Sequence, residues 1–413
     1  MDVYIVGTAM SKFGILSNKS IKDLVKETVN GALLDANLSK TNLDAAFFSS
    51  ATQSALQGQH MIPGQVALRS IGIEDIPVVN VENACASAST AFSLAVKDIK
   101  SGDSDIVLAV GADKMNIEDK NRMMNVFEGA IDVSEREETF KKLLSLSEDF
   151  DLPPEANIDG GKRSIFMDVY AAFAKQHMKN FGTTQRQMAA VSSKNHSHSV
   201  HNPLSQFQKN FSIEEVLGAR LISWPFTLPM CSPISDGSSA AILMSEKAMK
   251  AYGISKRRSI RVLASIISMG INRKADDQSE HITARAARKA YEKAGVGPEN
   301  VNLAEVHDAS AIAEIMQIEN LGFCNIGEGG PFSESGATTI GGKIPVNPSG
   351  GLESKGHPIG TTGLAQIHEL TMQLRGEAEK RQVDGARIAI AENGGGTYGI
   401  EEATACITIL EKT

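Results

Sequence analysis

Apolar residues along the first 115 positions fall into short blocks with two different spacings. The run "VYIVGTAM" near the start reads as a strand, and a loop then leads to apolar positions at helical spacing over 21–35. Three more strand-like blocks follow: "DAAFFSSAT" (44–52), "IPVVNVEN" (76–83) and "DIVLAVGADKM" (105–115). Between the last two lies "CASASTAFSLAVKDIKSG", a helix of small residues whose natural stop is Gly102. Strands alternating with helices predict an α/β protein, its parallel or mixed sheet covered by helices.

The rhythm breaks over 117–165, a charged stretch holding Pro153-Pro154 and Gly160-Gly161 that reads as an inserted excursion. Helical spacing returns over 167–180 and around 186–195, and "SPISDGSSAAILMSE" (232–246) regains strand character. A second series begins near Ser259, with a strand (259–267), a helix (281–295), the strand "LAEVHDAS" (303–310) and a further helix. The glycine-rich "NPSGGLESKGHPIGTTGLAQIHELTMQLRG" (347–376) comes next, then "ARIAIAENGGG" and "EATACITIL".

The two series echo each other. A small-residue helix after Cys85 leads to strand 105–110 and Gly111, and a small-residue helix after His357 leads to strand 386–391 and Gly394–Gly396. Two similar layered units are expected, 1–250 with its excursion at about 117–230, and 251–413. Helices rich in Ala, Ser, Thr and Gly would pack backbone to backbone between them.

Composition then narrows the functions. A chain of 413 residues has room for two or three packed units. Its net charge of −8 argues against general nucleic-acid binding, which needs a basic surface. No apolar run approaches the roughly 20 residues of a membrane span, and the start lacks the basic region of a secretory signal. The cysteines, Cys85, Cys231, Cys324 and Cys406, show no CxxC spacing, so neither a metal site nor a disulfide framework is expected. A cytoplasmic setting would keep Cys85 a free thiol.

Cys85 has two readings. It is either a packed apolar thiol, the common fate of a lone cysteine, or a nucleophile at a strand-to-helix junction. At that junction the helix dipole and free N–H groups favour a thiolate and offer an oxyanion site. A nucleophilic cysteine needs a base. Two histidines stand at element ends: His357 between Gly356 and Pro358, and His307 at the end of an apolar strand. Each taken alone reads as an ordinary core or surface histidine; the three together read as a site.

In this order, "NACASASTAF", "HDASAIAEI", "NPSGGLESKGHPIGTTG" and "ENGGG" resemble the motifs of the thiolase superfamily. Within it the chain is most similar to the sterol-carrier-protein-type, or lipid-transfer, thiolases, with "GGKRSIFMDVYAAFAKQHMKNFGTT" and "SSKNHSHSVHNPLSQF" matching their loop region. The resemblance implies a thiolase fold, a five-layered αβαβα sandwich of two duplicated halves, with a homodimer core. It implies that Cys85 is acylated, that His357 takes the thiol proton and that His307 belongs to an oxyanion hole. Backbone N–H groups of Cys85 and of the Gly394–Gly396 run, Gly394 and Gly395 foremost, would form another. Coenzyme A thioesters would be the substrates, with no permanently bound cofactor. Lys162, Arg163 and Arg220 fall where the family holds the nucleotide, and "MNVF" (124–127), Met167, Asp168 and Tyr170 are candidates for the acyl tunnel, core packing being the alternative for each.

The chain departs from the family at the second cysteine that serves as acid and base at the α-carbon. That cysteine occurs either first in a Cys-x-Gly-Gly-Gly run or inside a His-Asp-Cys-Phe motif. Here the first place holds Glu392, followed by Asn393, and the His-Asp motif continues as Ala309-Ser310. Either Glu392 takes over proton transfer, its pKa raised in an apolar site, or it is structural and a histidine, water or substrate carboxylate does so. Ser310 is at most a hydrogen-bonding group. The departure favours an unusual branched or aromatic 3-oxoacyl-CoA, such as benzoylsuccinyl-CoA, or a condensing enzyme with relaxed acid/base needs, and the resemblance to the subfamily implies a small zinc-ribbon/OB-fold partner protein. The alternative is a non-catalytic scaffold or acyl carrier acting with that partner. An aldolase-type lyase is disfavoured by the presence of Cys85.

Overall fold

Strand residues alternate between two faces, and here both faces are buried. In the strand Val3–Met10, Val3 and Ile5 join one hydrophobic cluster while Tyr4 and Val6 join another. Ala45 and Phe47 against Ala46 and Phe48, and Val107 and Ala109 against Leu108 and Val110, divide the same way. Such strands read as continuous apolar runs because helices cover both sides. The computed structural model describes residues 1–156, 164–275 and 277–413.

Nine strands register in the order 78–81, 45–49, 106–113, 237–245, 3–10, 260–269, 401–412, 388–398, 303–305. The seam between the fifth and sixth is brief, pairing Tyr4 with Arg261 and Ile5 with Ile260. On each side of it the directions repeat. Strands 45–49 and 106–113 are parallel and 237–245 runs against them, just as 303–305 and 388–398 are parallel and 401–412 runs against them. A parallel bridge between Ala304 and Val346 stands where 78–81 pairs in the first series.

Between the two series lie the helices Ser87–Ser101 and Thr362–Arg375. Ala88, Ala91, Phe92 and Ala95 of one join Leu364, Ile367 and Leu370 of the other in a cluster with inward residues of both sets of strands. The outer face of the first set is covered by the helix Ile21–Ala36, through Val25, Val29 and Ala32. The outer face of the second is covered by the helix Ile282–Ala294, through Ala286, Ala287 and Ala290. The result is the expected five-layer αβαβα sandwich. Small residues permit the central approach: a Cβ on Gly363 would lie 2.0 Å from Ser89 Oγ.

The excursion carries helices of its own, among them Lys120–Asn125, Arg136–Ser145, Ile165–Phe181 and Gln185–Ser199. Ala171, Met188 and Val191 pack on Ile312 and Ile315 of the helix Ala311–Asn320. The strand expected over 303–310 ends at Glu305. The Val306 N–H is taken by the Asn347 side chain at 2.9 Å rather than by a neighbouring strand, so His307 sits just beyond the sheet. Among the described residues no helix is long and apolar enough to cross a membrane.

Candidate active site

Cys85 sits two residues before its helix, in a turn that Ala84 enters with φ of 47°. The Ser87 hydroxyl locks the turn, accepting from Asn83 N at 2.8 Å and donating to Ala84 O at 2.6 Å. His357 arrives from the second series on a loop with Gly350, Gly351 and Gly356 at positive φ. Its N–H donates to Ser235 Oγ at 2.9 Å. Ser349, earlier in that loop, is held by Glu305 through both its N–H (3.0 Å) and its hydroxyl (2.7 Å). Asp113, at the end of its strand, accepts from Ala51 N, Thr52 N and Gly360 N, tying the two series together beneath the site.

These elements bring Cys85, His307 and His357 together. A ligand atom of each lies within 4.8 Å of the others, and the two imidazoles meet edge to face with centroids 5.2 Å apart. A thiol and two imidazoles at this spacing would also suit Zn²⁺. Asn393 orients His307: its amide oxygen accepts from Ser89 Oγ at 2.9 Å, leaving its NH₂ to donate to His307 Nδ1 at 3.0 Å. The His307 proton is therefore on Nε2, as an oxyanion donor requires. His357 Nδ1 is buried without a hydrogen-bond partner among the described residues.

Burial dominates the electrostatics. It lowers His307 to about 4 and, with His307 beside it, depresses His357 well below the ordinary imidazole value, so both rings are neutral. Burial, with the Asp113 carboxyl adding to it, pushes the Cys85 thiol up to about 12. The N–H groups of Cys85 itself and of Gly396 oppose this without reversing it. The thiolate expected from the helix dipole is thus absent at rest, because desolvation of a buried anion outweighs the helix terminus. Cys85 is a neutral thiol beside neutral imidazoles, so any attack by its sulfur would have to be coupled to loss of its proton.

The three residues open onto a cavity of about 450 Å³. Its walls are largely supplied by the excursion: Met124, Phe127, Phe166, Met167, Tyr170 and Phe173, with Phe207 and Phe211. Of the tunnel candidates Met124, Phe127, Met167 and Tyr170 do line it, whereas Asp168 accepts from Ser223 Oγ at 2.6 Å. Gly394 and Gly395 line it too, but the amide that faces the sulfur belongs to Gly396. Gly395 instead makes room, since a Cβ there would lie 2.4 Å from Asn83 O. Arg220 is exposed and is not among the lining residues. Lys162 and Arg163 lie outside the described residues.

Glu392 is fully buried but does not line the cavity. Its carboxylate accepts from His307 N at 2.9 Å, and burial, reinforced by Glu402, raises it to about 8. Sequence reading missed Asn393, Asp113 and Ser235, whose only signals are a polar residue at a strand end or beside a marked one. It also missed Glu353, a buried carboxyl on the cavity wall.

The family domain "Thiolase, N-terminal domain" matches residues 3–214, and "Thiolase C-terminal domain-like" matches 268–412. The chain belongs to the thiolase family. It is 36% identical to an acetyl-CoA acetyltransferase of Methanothermobacter thermautotrophicus over 100% of both chains. It is 36% identical to sterol carrier protein 2 of Bos taurus, covering 95% of this chain and 69% of that one. With benzoylsuccinyl-CoA thiolase subunit BbsB of Thauera aromatica it shares 33%, over 95% and 94%. A solved structure, "Ltp2-ChsH2(DUF35) aldolase", shares the fold at TM-score 0.77 and 20% identity, covering 100% of this chain and 98% of that chain. Family and relatives make this protein an acyl-CoA acyltransferase.

Proposed function

We propose that the protein cleaves or forms a 3-oxoacyl-CoA through an acyl-Cys85 intermediate. The observation that carries this reading is the convergence of Cys85, His307 and His357 on one cavity. His357, neutral, takes the thiol proton as sulfur attacks the 3-oxo carbon. His307 Nε2–H stabilises oxygen charge on a thioester carbonyl, and the Cys85 and Gly396 amides do so at the acylated carbon, each donor contributing roughly 3–4 kcal/mol. Coenzyme A thioesters are the substrates, and the chemistry calls for no permanently bound cofactor.

The cavity is large and walled by aromatic and methionine side chains. This supports a branched or aromatic acyl group, and the likeness to the benzoylsuccinyl-CoA thiolase subunit makes benzoylsuccinyl-CoA the first compound to try. A homodimer core with a small zinc-ribbon/OB-fold partner completes the proposal, and co-purification with light scattering tests it.

A second reading, a scaffold or acyl carrier without turnover, is favoured by the absence of a second cysteine from both family positions. Intact-protein mass after incubation with a panel of acyl-CoAs separates the two. Catalysis predicts an acyl adduct that is lost in Cys85→Ser, and an unchanged mass across the panel would sink it.

A further inference from the structure

Both places where the family carries its second cysteine are filled without a thiol, and neither presents a proton carrier to the substrate. Ala309 lines the cavity with a methyl group, and the Glu392 carboxylate lies off it, bonded to the His307 backbone. The wall nevertheless contains carboxyls. Glu401 is clamped by Arg273 at 2.7 Å and approached by Arg285 at 3.5 Å. Glu402 accepts from Gln317 at 3.1 Å; its other oxygen has no hydrogen-bond partner among the described residues but faces His281 Nε2 at 3.3 Å, and its side chain is 22% exposed.

Glu353 is more deeply buried than Glu402 and, unlike Glu401, has no ion pair among the described residues. It stands four residues before His357 on the short helix Gly351–Lys355 and is 1% exposed. One oxygen receives a long bond from Asn195 Nδ2, at 3.4 Å, and the other has no hydrogen-bond partner among the described residues. The groups facing it are the Asp308 and Glu314 carboxyls and the Cys231 thiol. The nearby cation, Lys194, is engaged by Glu314 and by Val346 O. Burial and the two carboxyls hold Glu353 well above the usual carboxylate range, so at rest it is a neutral acid. A buried carboxyl with a bare oxygen, sharing a cavity with a nucleophile and its base, is a costly arrangement for packing alone.

We propose that Glu353 carries the proton at the substrate α-carbon, the task of the absent second cysteine; this rests on the thiolase reading of the site. In cleavage, the Cys85 sulfur bonds to C3 and its proton goes to His357. The C2–C3 bond then breaks, and its electron pair takes the proton from the Glu353 carboxyl, releasing the shorter acyl-CoA. Incoming coenzyme A gives its thiol proton to the Glu353 carboxylate and bonds to the acyl carbon. The C–S bond to Cys85 breaks, and its sulfur recovers the proton from His357. Condensation runs the same transfers in reverse.

The test separates acylation from α-proton exchange. Wild type, Glu353→Gln, Glu353→Asp, Glu392→Gln and Glu402→Gln are each incubated with acetyl-CoA, propionyl-CoA and phenylacetyl-CoA in D₂O. Adduct mass and deuterium uptake at the α-carbon are then read. Glu353→Gln is expected still to form the Cys85 adduct, more slowly because coenzyme A then leaves without the Glu353 proton, while exchange falls by about 10²-fold, with partial recovery in Glu353→Asp. Exchange in Glu353→Gln within about threefold of wild type overturns the assignment, since general acid–base catalysis is worth far more. So does a loss that falls on Glu392→Gln or Glu402→Gln instead. Complete loss of the adduct at long incubation, together with exchange, in Glu353→Gln means a structural role and overturns it as well. A wild type that neither forms an adduct nor takes up deuterium with any of the three overturns the thiolase reading itself, and this assignment with it.

Discussion

The turn that presents Cys85 and the loop that presents His357 occupy corresponding places in the two strand–helix series, yet they are built in opposite ways. The first is short and self-contained. It has no glycine between Asn83 and Ser87, one residue at positive φ, and a hydroxyl that closes it within four residues. The second is long, has three glycines at positive φ, and depends on partners far away in sequence, Glu305 and Ser235. A side chain at a helix start can be positioned by local geometry, whereas one that must reach it from the other half needs a loop shaped by tertiary contacts.

Removing the nucleophile has the largest expected effect. Cys85→Ser is expected to abolish the acyl adduct and lower turnover by at least about 10³-fold, read by intact mass and by thioester cleavage. Replacing the base comes next: His357→Asn should slow acylation by about 10²- to 10⁴-fold while leaving the fold's melting temperature nearly unchanged. Because burial depresses His357, the ring is in its active neutral form above that lowered pKa. Acylation kcat/KM should therefore show no fall as pH drops through 6.5, the ordinary imidazole value. A fall centred there would assign the base to an exposed histidine instead.

A subtler change acts on the orientation of His307. Asn393→Asp puts an acceptor against Nδ1, moves the proton off Nε2 and removes an oxyanion donor, at a cost of about 10²-fold in kcat. Rapid acylation retained at the wild-type rate would show that this tautomer is irrelevant to the first step. The smallest effect is on the contact between the two halves. Gly363→Ala forces a methyl group onto Ser89 and should destabilise the fold by about 1–3 kcal/mol, read as a lower Tm.

Much of this was legible beforehand. Helix ends at Gly102 and Gly295, the order of strands, the echo between halves and the small-residue helices all follow from local spacing and turn chemistry, and the structure has them. Cys85, His307 and His357, each at the end of an element in that order, meet in the structure. Glu392 is where local reading left two roles open. Adjacent strand residues point to opposite faces, so a one-residue question of register decides which of Glu392 and Asn393 reaches the imidazole ring and which reaches the backbone. Sequence spacing alone leaves that question open.

Glu353 failed to stand out for a different reason. In sequence it is one polar residue in a polar, glycine-rich motif. It becomes unusual only when Ala309, Asp308 and Glu314 close round it and leave an oxygen without a partner among the described residues. The alternation of apolar positions and the glycines determined by themselves a two-fold repeated α/β architecture, and the ordered motifs marked the chain as a thiolase, because those features act within a few residues. Tertiary structure alone decided which carboxyls face the cavity, that the resting thiol is neutral, and which amide faces the sulfur, because burial and non-local neighbours set those properties.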